Sequence, residues 1–337
     1  MEYTKATAKE WAKGVFHGVC NVIIPSYTAD LKRLNEKAIR HDVRRNIELG
    51  FWGALLVSEA GTTMAEMKQF MEIAVDEARG RHRFLLHGTF DTADDIVQMA
   101  REGQTIGVDG LLLGHPNSFY PKDADQLYEY LAYVCDRTDL ATVLFAAHHW
   151  NFERLHPSGY PPQVLLRAAN LPNVVAIKHE VGRPGLGAAY EFWKMIRDKG
   201  VLFSDPLEAN SPLTVEMFGQ QWMGTSNYEY WGGMVPQYFK LLREGQFDKA
   251  MKIYWQIQPA RAARMAEQNS FGGANFIHRY MWKYQAWLNG YNGGPMRQPV
   301  MKLNNGQMRR LREALSRSGV EIAAEDPAAF FAGRNPA

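Results

Sequence analysis

The chain is poor in cysteine: only Cys20 and Cys135 stand among its 337 residues. Two thiols that far apart make no disulfide framework and offer no metal-ligand spacing. Such a chain suits a reducing compartment, and we expect the cytoplasm. No apolar run approaches the roughly 18 residues of a membrane-spanning helix. The opening MEYTKATAKEWAKG lacks the apolar core of a secretory signal. Neither sign of charge dominates: 38 Lys and Arg face 36 Asp and Glu, a formal net charge of +2 with no long run. That balance gives no footprint for nucleic acid or for an anionic membrane surface. No G-x-G-x-x-G follows the first apolar run, which disfavours an open dinucleotide-binding sheet. No H-E-x-x-H is present, and no H-x-H follows the first strand.

What the chain does have is alternation. Short apolar runs at 19–25, 52–58, 83–89, 110–115, 141–147, 174–180, 201–205 and 221–227 read as strands. Amphipathic stretches at 34–49, 64–78, 92–106, 123–136, 162–169, 188–199 and 212–219 read as the helices between them. Strands alternating with helices at this spacing predict a parallel (β/α)8 TIM barrel, with a doubly wound open sheet as runner-up. After Gly233 the strands stop. Helical patterns at 235–243, 247–265, 274–288 and 305–316 follow, broken at Gly245, 270–273 and 289–295. We expect a barrel over 14–233, a C-terminal helical bundle over 234–320 and a loose tail over 321–337.

The run Val174-Val-Ala-Ile-Lys178-His179-Glu180 stands out. Its apolar start is a buried strand, and a lysine stands at its end. Lysine is almost never fully buried without a partner or a task. Lys178 either caps the strand and reaches water, or points into the barrel mouth, where active sites sit. In the mouth, desolvation favours the neutral amine, which attacks carbonyls to form a Schiff base.

Several segments together resemble the dihydrodipicolinate synthase / N-acetylneuraminate lyase family. These are Gly14-Val-Phe16 and Asn21-Val-Ile-Ile-Pro25 with its opening strand, Leu85-Leu-His-Gly-Thr89 with the third and Thr92–Ala100 with the helix after it, Val174–Lys178 with the sixth, and Leu288-Asn-Gly-Tyr-Asn-Gly-Gly-Pro-Met-Arg-Gln-Pro299 with a C-terminal signature. The resemblance runs from about residue 14 to 320. It implies a (β/α)8 barrel with a helical tail, and a class I lyase that forms a Schiff base through Lys178. It implies no cofactor or metal, a small-molecule substrate, and a homotetramer or homodimer. The segment 152–162 is most similar to the hydratase-aldolases, which cleave benzylidenepyruvates to an aromatic aldehyde and pyruvate.

Three departures shape the expected site. The family's proton-relaying tyrosine at the end of strand five is replaced by Phe145, which has no exchangeable proton. His148 and His149 follow on that strand's end, and we take His148 as the acid–base candidate. The family's carboxylate-holding turn after strand two reads Ser58-Glu59-Ala60-Gly61-Thr62-Thr63. Ser58, Thr62 and Thr63 are candidate ligands. Glu59 would repel a carboxylate unless it turns away, is paired, or meets a substrate with none. After strand eight, Asn227 is a candidate ligand. Tyr228, Tyr230 and Trp231 line a pocket for a flat substrate or pack under the C-terminal helices. Glu180 shares the face of Lys178 and can tune or pair its amine. Tyr120 is the candidate for a tyrosine lent to a neighbouring subunit. The alternatives are a metal-dependent barrel hydrolase or aldolase, suggested by strand-end His87, His115, His148, His149, His179, Glu59, Glu180 and Asp205, and a non-catalytic relative.

Overall fold

A computed structural model describes residues 1–181, 185–270, 279–298, 300 and 302–337. Eight strands form one sheet in the order β7-β6-β5-β4-β3-β2-β1-β8. They are β1 (Gly18–Ile23), β2 (Gly53–Leu56), β3 (Arg83–Gly88), β4 (Gly110–Leu113), β5 (Ala141–Ala147), β6 (Val174–Glu180), β7 (Leu202–Ser204) and β8 (Trp222–Gly224). The pairs β3–β4, β4–β5, β5–β6 and β6–β7 are parallel, and β8 returns to pair in parallel with β1. Ser204 Oγ bonds to the backbone of Gly224, which links β7 to β8 around the ring. This is the (β/α)8 barrel that the alternation predicts.

The helices are α1 (Ala8–Val15), α2 (Glu36–Glu48), α3 (Met64–Ala78), α4 (Ala93–Ile106), α5 (Ala124–Arg137), α6 (Pro162–Ala168), α7 (Leu186–Ile196) and α8 (Ser211–Phe218). Beyond β8 come α9 (Met234–Arg243), α10 (Phe247–Gln256), α11 (Gln258–Ser270), α12 (Arg279–Leu288), α13 (Asn305–Arg317) and α14 (Ala329–Ala332). Side chains start several of them. Thr63 with Glu66 caps α3, and Thr92 with Asp95 caps α4, each as a reciprocal pair that satisfies two orphan N–H groups. The single helix expected over 247–265 is two, because Pro259 lacks an N–H and fits only a helix's first turn. The breaks at 271–273, the start of the helix expected from 274, and Pro299 lie outside the described residues.

The chain divides into two compact units. One comprises Met1–Cys20 and Arg83–Thr225, the other Asn21–His82 and Ser226–Ala337. In the second, the tail expected to be loose is anchored. Phe330 is buried against Tyr280, Tyr284 and Trp287. Arg334 pairs with Glu325 and donates to the carbonyl of Trp287. The Ala, Pro and Gly around this aromatic anchor concealed it. Among the described residues, no helix is long and apolar enough to cross a membrane.

Candidate active site

In the first unit, β6 carries the central residues. Its register with β5 shifts between Thr142 and Val143: Thr142 faces Val174, but Val143 faces Ala176. That irregularity sets Lys178 opposite Phe145 and Glu180 opposite Ala147. On its other side Lys178 is in register with Ser204. Alternation then divides the strand. Lys178 and Glu180 share one face. His179 takes the other, stacked on Phe192 of α7 at 4.6 Å. Burial holds His179 down at about 4, so it is a neutral core residue.

Lys178 is 5% exposed. It is neither a solvated cap nor an isolated charge. Its Nζ lies 3.2 Å from Glu180 Oε2 and 3.9 Å from the centroid of the Phe145 ring. The ring face and the carboxylate both favour a cation. Burial works to raise the Glu180 carboxyl. The charges of Lys178 and His149 outweigh it and hold the group below its usual value. The Glu180 side chain keeps 31% of its surface open to water.

The strand-end histidines sit differently. β5 ends at Ala147, and His148–Trp150 forms a 3-10 turn, so strand alternation does not extend to His148. His149 packs edge-on to Phe145, with centroids 5.2 Å apart. Trp150 donates from Nε1 to the Phe145 carbonyl at 3.0 Å and holds that turn. His148 backs onto Gly159, where a side chain would come 3.3 Å from its Cα. Tyr120 is exposed and carries the Arg154 guanidinium over its ring.

Several other polar groups of this unit have fixed partners. Tyr130 donates to the Gly114 carbonyl, and Tyr160 meets His115 Nε2 at 3.2 Å. Asp205, pushed up to about 6 by burial, accepts from the Leu207 N–H and from Asn210. The Cys20 thiol is pushed far above its usual range by burial. His87 bonds to Thr89. These strand-end groups therefore do not converge. No set of three His, Cys, Asp or Glu among the described residues is arranged to hold a metal ion.

The second unit holds the turn after β2. Glu59 is paired with Arg279, whose guanidinium lies 4.3 Å over the Trp282 ring. Of the three options open to Glu59, pairing is the one realised. Arg279 was invisible to sequence reasoning because it stands 220 positions from Glu59. Thr62 Oγ1 bonds to Tyr27 Oη at 3.0 Å, and Thr63 is consumed by the α3 cap. Ser58 is buried.

Arg297, from the C-terminal signature, pins this turn. It grips Glu66 with both nitrogens, at 2.7 and 2.8 Å, and donates to the carbonyls of Gly61 and Leu31. Gly61 has φ +74°, and a side chain there would strike the Gln298 carbonyl at 2.7 Å. Glycine is required at that approach. Asn227 is buried with both ends of its amide engaged, to Gln285 and to Arg264. It braces those two side chains. Tyr228, Tyr230 and Trp231 are buried as well, with Tyr230 donating to Leu311 of α13. The flat-pocket reading of these aromatics gives way to packing with the C-terminal helices.

Comparison with known proteins adds to this geometry. Residues 15–318 match the model of the dihydrodipicolinate synthetase family. The chain is 22% identical over 310 residues to a 4-hydroxy-tetrahydrodipicolinate synthase of Methanospirillum hungatei, covering 90% of this chain and 99% of that one. It is 22% identical over 324 residues to an uncharacterized DapA-like lyase of Pyrobaculum islandicum, covering 90% and 98%. Dihydrodipicolinate synthase from Oceanobacillus iheyensis superposes with a TM-score of 0.76 at 16% identity, over 92% of this chain and 98% of that one. N-acetylneuraminate lyase from Fusobacterium nucleatum gives 0.71 at 16%, over 90% and 98%. At such identities these structural likenesses speak for the fold.

Proposed function

The chain belongs to the dihydrodipicolinate synthetase family of Schiff-base lyases, and on that premise we propose that Lys178 forms a Schiff base with a 2-oxo acid. The iminium then serves as an electron sink. The bond between the third and fourth carbons of the bound acid breaks, or forms in the reverse direction. The fragments are pyruvate and an aromatic or otherwise bulky aldehyde. The observation that carries this reading is the placement of Lys178: buried at the end of β6, with a carboxylate at 3.2 Å and an aromatic face beneath it.

The aldehyde preference draws its support from Phe145, whose ring lies against the lysine amine where the family carries a tyrosine hydroxyl, and which is itself packed edge-on by His149 and Trp150. His148 or His149 receives the proton of the 4-hydroxyl as the bond breaks. The test is borohydride reduction in the presence of pyruvate or a benzylidenepyruvate, read by peptide mass spectrometry. We expect a reduced adduct on Lys178. Its absence with every 2-oxo acid tried rules the mechanism out.

A further inference from the structure

We propose that Glu180 performs the acid–base work of imine formation at Lys178, the task that Phe145 has no proton to perform. This rests on the Schiff-base reading above. Its ground is a juxtaposition and an elimination. The juxtaposition is the 3.2 Å contact between Glu180 Oε2 and Lys178 Nζ, on one face of one strand. The elimination runs through other groups of the same compact unit. Phe145 carries no exchangeable proton. Ser204 donates to and accepts from the backbone of Gly224. Asp205 is occupied by Leu207 and Asn210. Cys20 is held as a neutral thiol by burial. Tyr130 and Tyr160 are spent on Gly114 and His115. Glu180 touches the amine and also reaches water, so it can exchange protons with both.

The steps balance. The Lys178 ammonium gives one proton to the Glu180 carboxylate, leaving a neutral amine and a carboxylic acid. The amine lone pair attacks the carbonyl carbon, and the carbon–oxygen π electrons move onto oxygen. Glu180 gives its proton to that oxygen and takes one from the nitrogen, which leaves a neutral carbinolamine. Glu180 then protonates the carbinolamine hydroxyl, the carbon–oxygen bond breaks, and water leaves as the nitrogen lone pair forms the iminium. Glu180 ends as a carboxylate facing the new cation, as it began facing the old one. His149 and His148, on the turn after β5, and Asp205, after β7, are the other titrating groups that act on this carboxylate. The histidines favour its charged form and Asp205 opposes it.

The experiment measures the rate of pyruvate adduct formation on the full-length protein, trapped with cyanoborohydride across a pH series. It compares wild type, Glu180→Gln, Glu180→Asp, and Phe145→Tyr in the Glu180→Gln background. Positioned acid–base groups typically contribute a hundredfold or more. We expect Glu180→Gln to slow trapping about a hundredfold at neutral pH and to lose the carboxylate inflection of the pH profile. Glu180→Asp keeps a carboxylate and should recover about tenfold of that loss. The tyrosine added in the Gln background should restore most of the rate. An equal or faster rate in Glu180→Gln overturns the proposal and leaves Lys178 chemistry standing, because a glutamate that merely holds the ammonium would retard attack. No adduct in wild type overturns the Schiff-base reading and this proposal with it. Thermal melting of each variant identifies misfolding, and in that event the Glu180→Asp rate against wild type decides.

Discussion

Lys178 and Lys283 are both buried, at 5% and 3% exposure, each in a different compact unit, and their surroundings assign them opposite work. Lys283 donates to the Pro25 carbonyl at 2.8 Å and to Ser26 Oγ at 3.1 Å. Neither partner is a base at ordinary pH. It lines a small cavity with Asp42, Glu229 and Tyr291. Burial pushes its ammonium down to about 8, against the pull of Asp42. Burial also raises the Glu229 carboxyl well above the usual range. Lys178 has the Glu180 carboxylate, partly open to water, and an aromatic face. Burial alone does not make a nucleophile. A lysine also needs a neighbour able to take its proton and a path by which that proton leaves, and Glu180 gives Lys178 both.

The largest effect that separates the two lies in covalent chemistry. Lys178→Arg keeps the positive charge beside Glu180 but cannot form an imine, so pyruvate trapping should fall to background with the fold intact. Lys283→Met should still be labelled at Lys178. A labelled Lys283 in the wild type would break the comparison.

Stability should separate them in the reverse sense. Lys283→Met leaves the Pro25 carbonyl without its donor, at a cost of about 2 kcal/mol near neutral pH. The pH dependence sharpens this. The folded pKa is about 8 against an ordinary 10.5, so between those values the unfolded chain holds a proton that the folded chain has released. Stability from this group therefore rises with pH across that window. The variant lacks the rise, and its deficit against wild type should widen by up to about 3 kcal/mol from pH 8 to 10.5. Denaturant midpoints of both proteins across that range are the check. A constant deficit would mean that the buried amine is not depressed.

The sequence showed Lys178 and hid Lys283 for one reason. β5, β6 and α3 are locally determined, and their observed bounds, Ala141–Ala147, Val174–Glu180 and Met64–Ala78, coincide with those read from periodicity. Lys178 ends an apolar strand, so its anomaly is visible in one dimension. Lys283 sits in α12 among Trp282, Tyr284 and Gln285 and looks like the polar face of an ordinary helix, although every residue of α12 is buried. Its burial comes from tertiary packing. The same holds for Glu59 with Arg279 and for Arg297 at Gly61, pairs brought together over long sequence separations. Hydroxyls raise a related point: a sequence displays the group and conceals what it is bonded to, as with Thr62 to Tyr27 and Thr63 to Glu66.

Thr63 is the sharpest case and the smallest expected effect. By position it stands in a turn the family uses for substrate. Its Oγ1 accepts from the Glu66 N–H, while the Glu66 carboxylate accepts from the Thr63 N–H and pairs with Arg297. A hydroxyl so committed serves the helix. Thr63→Ala should lower stability by about 1 kcal/mol, as the loss of an N-cap does, and Thr63→Ser should cost almost nothing. Both should leave the rate and saturation of pyruvate trapping at Lys178 unchanged. A raised half-saturation in the alanine variant that serine repairs would return Thr63 to the substrate.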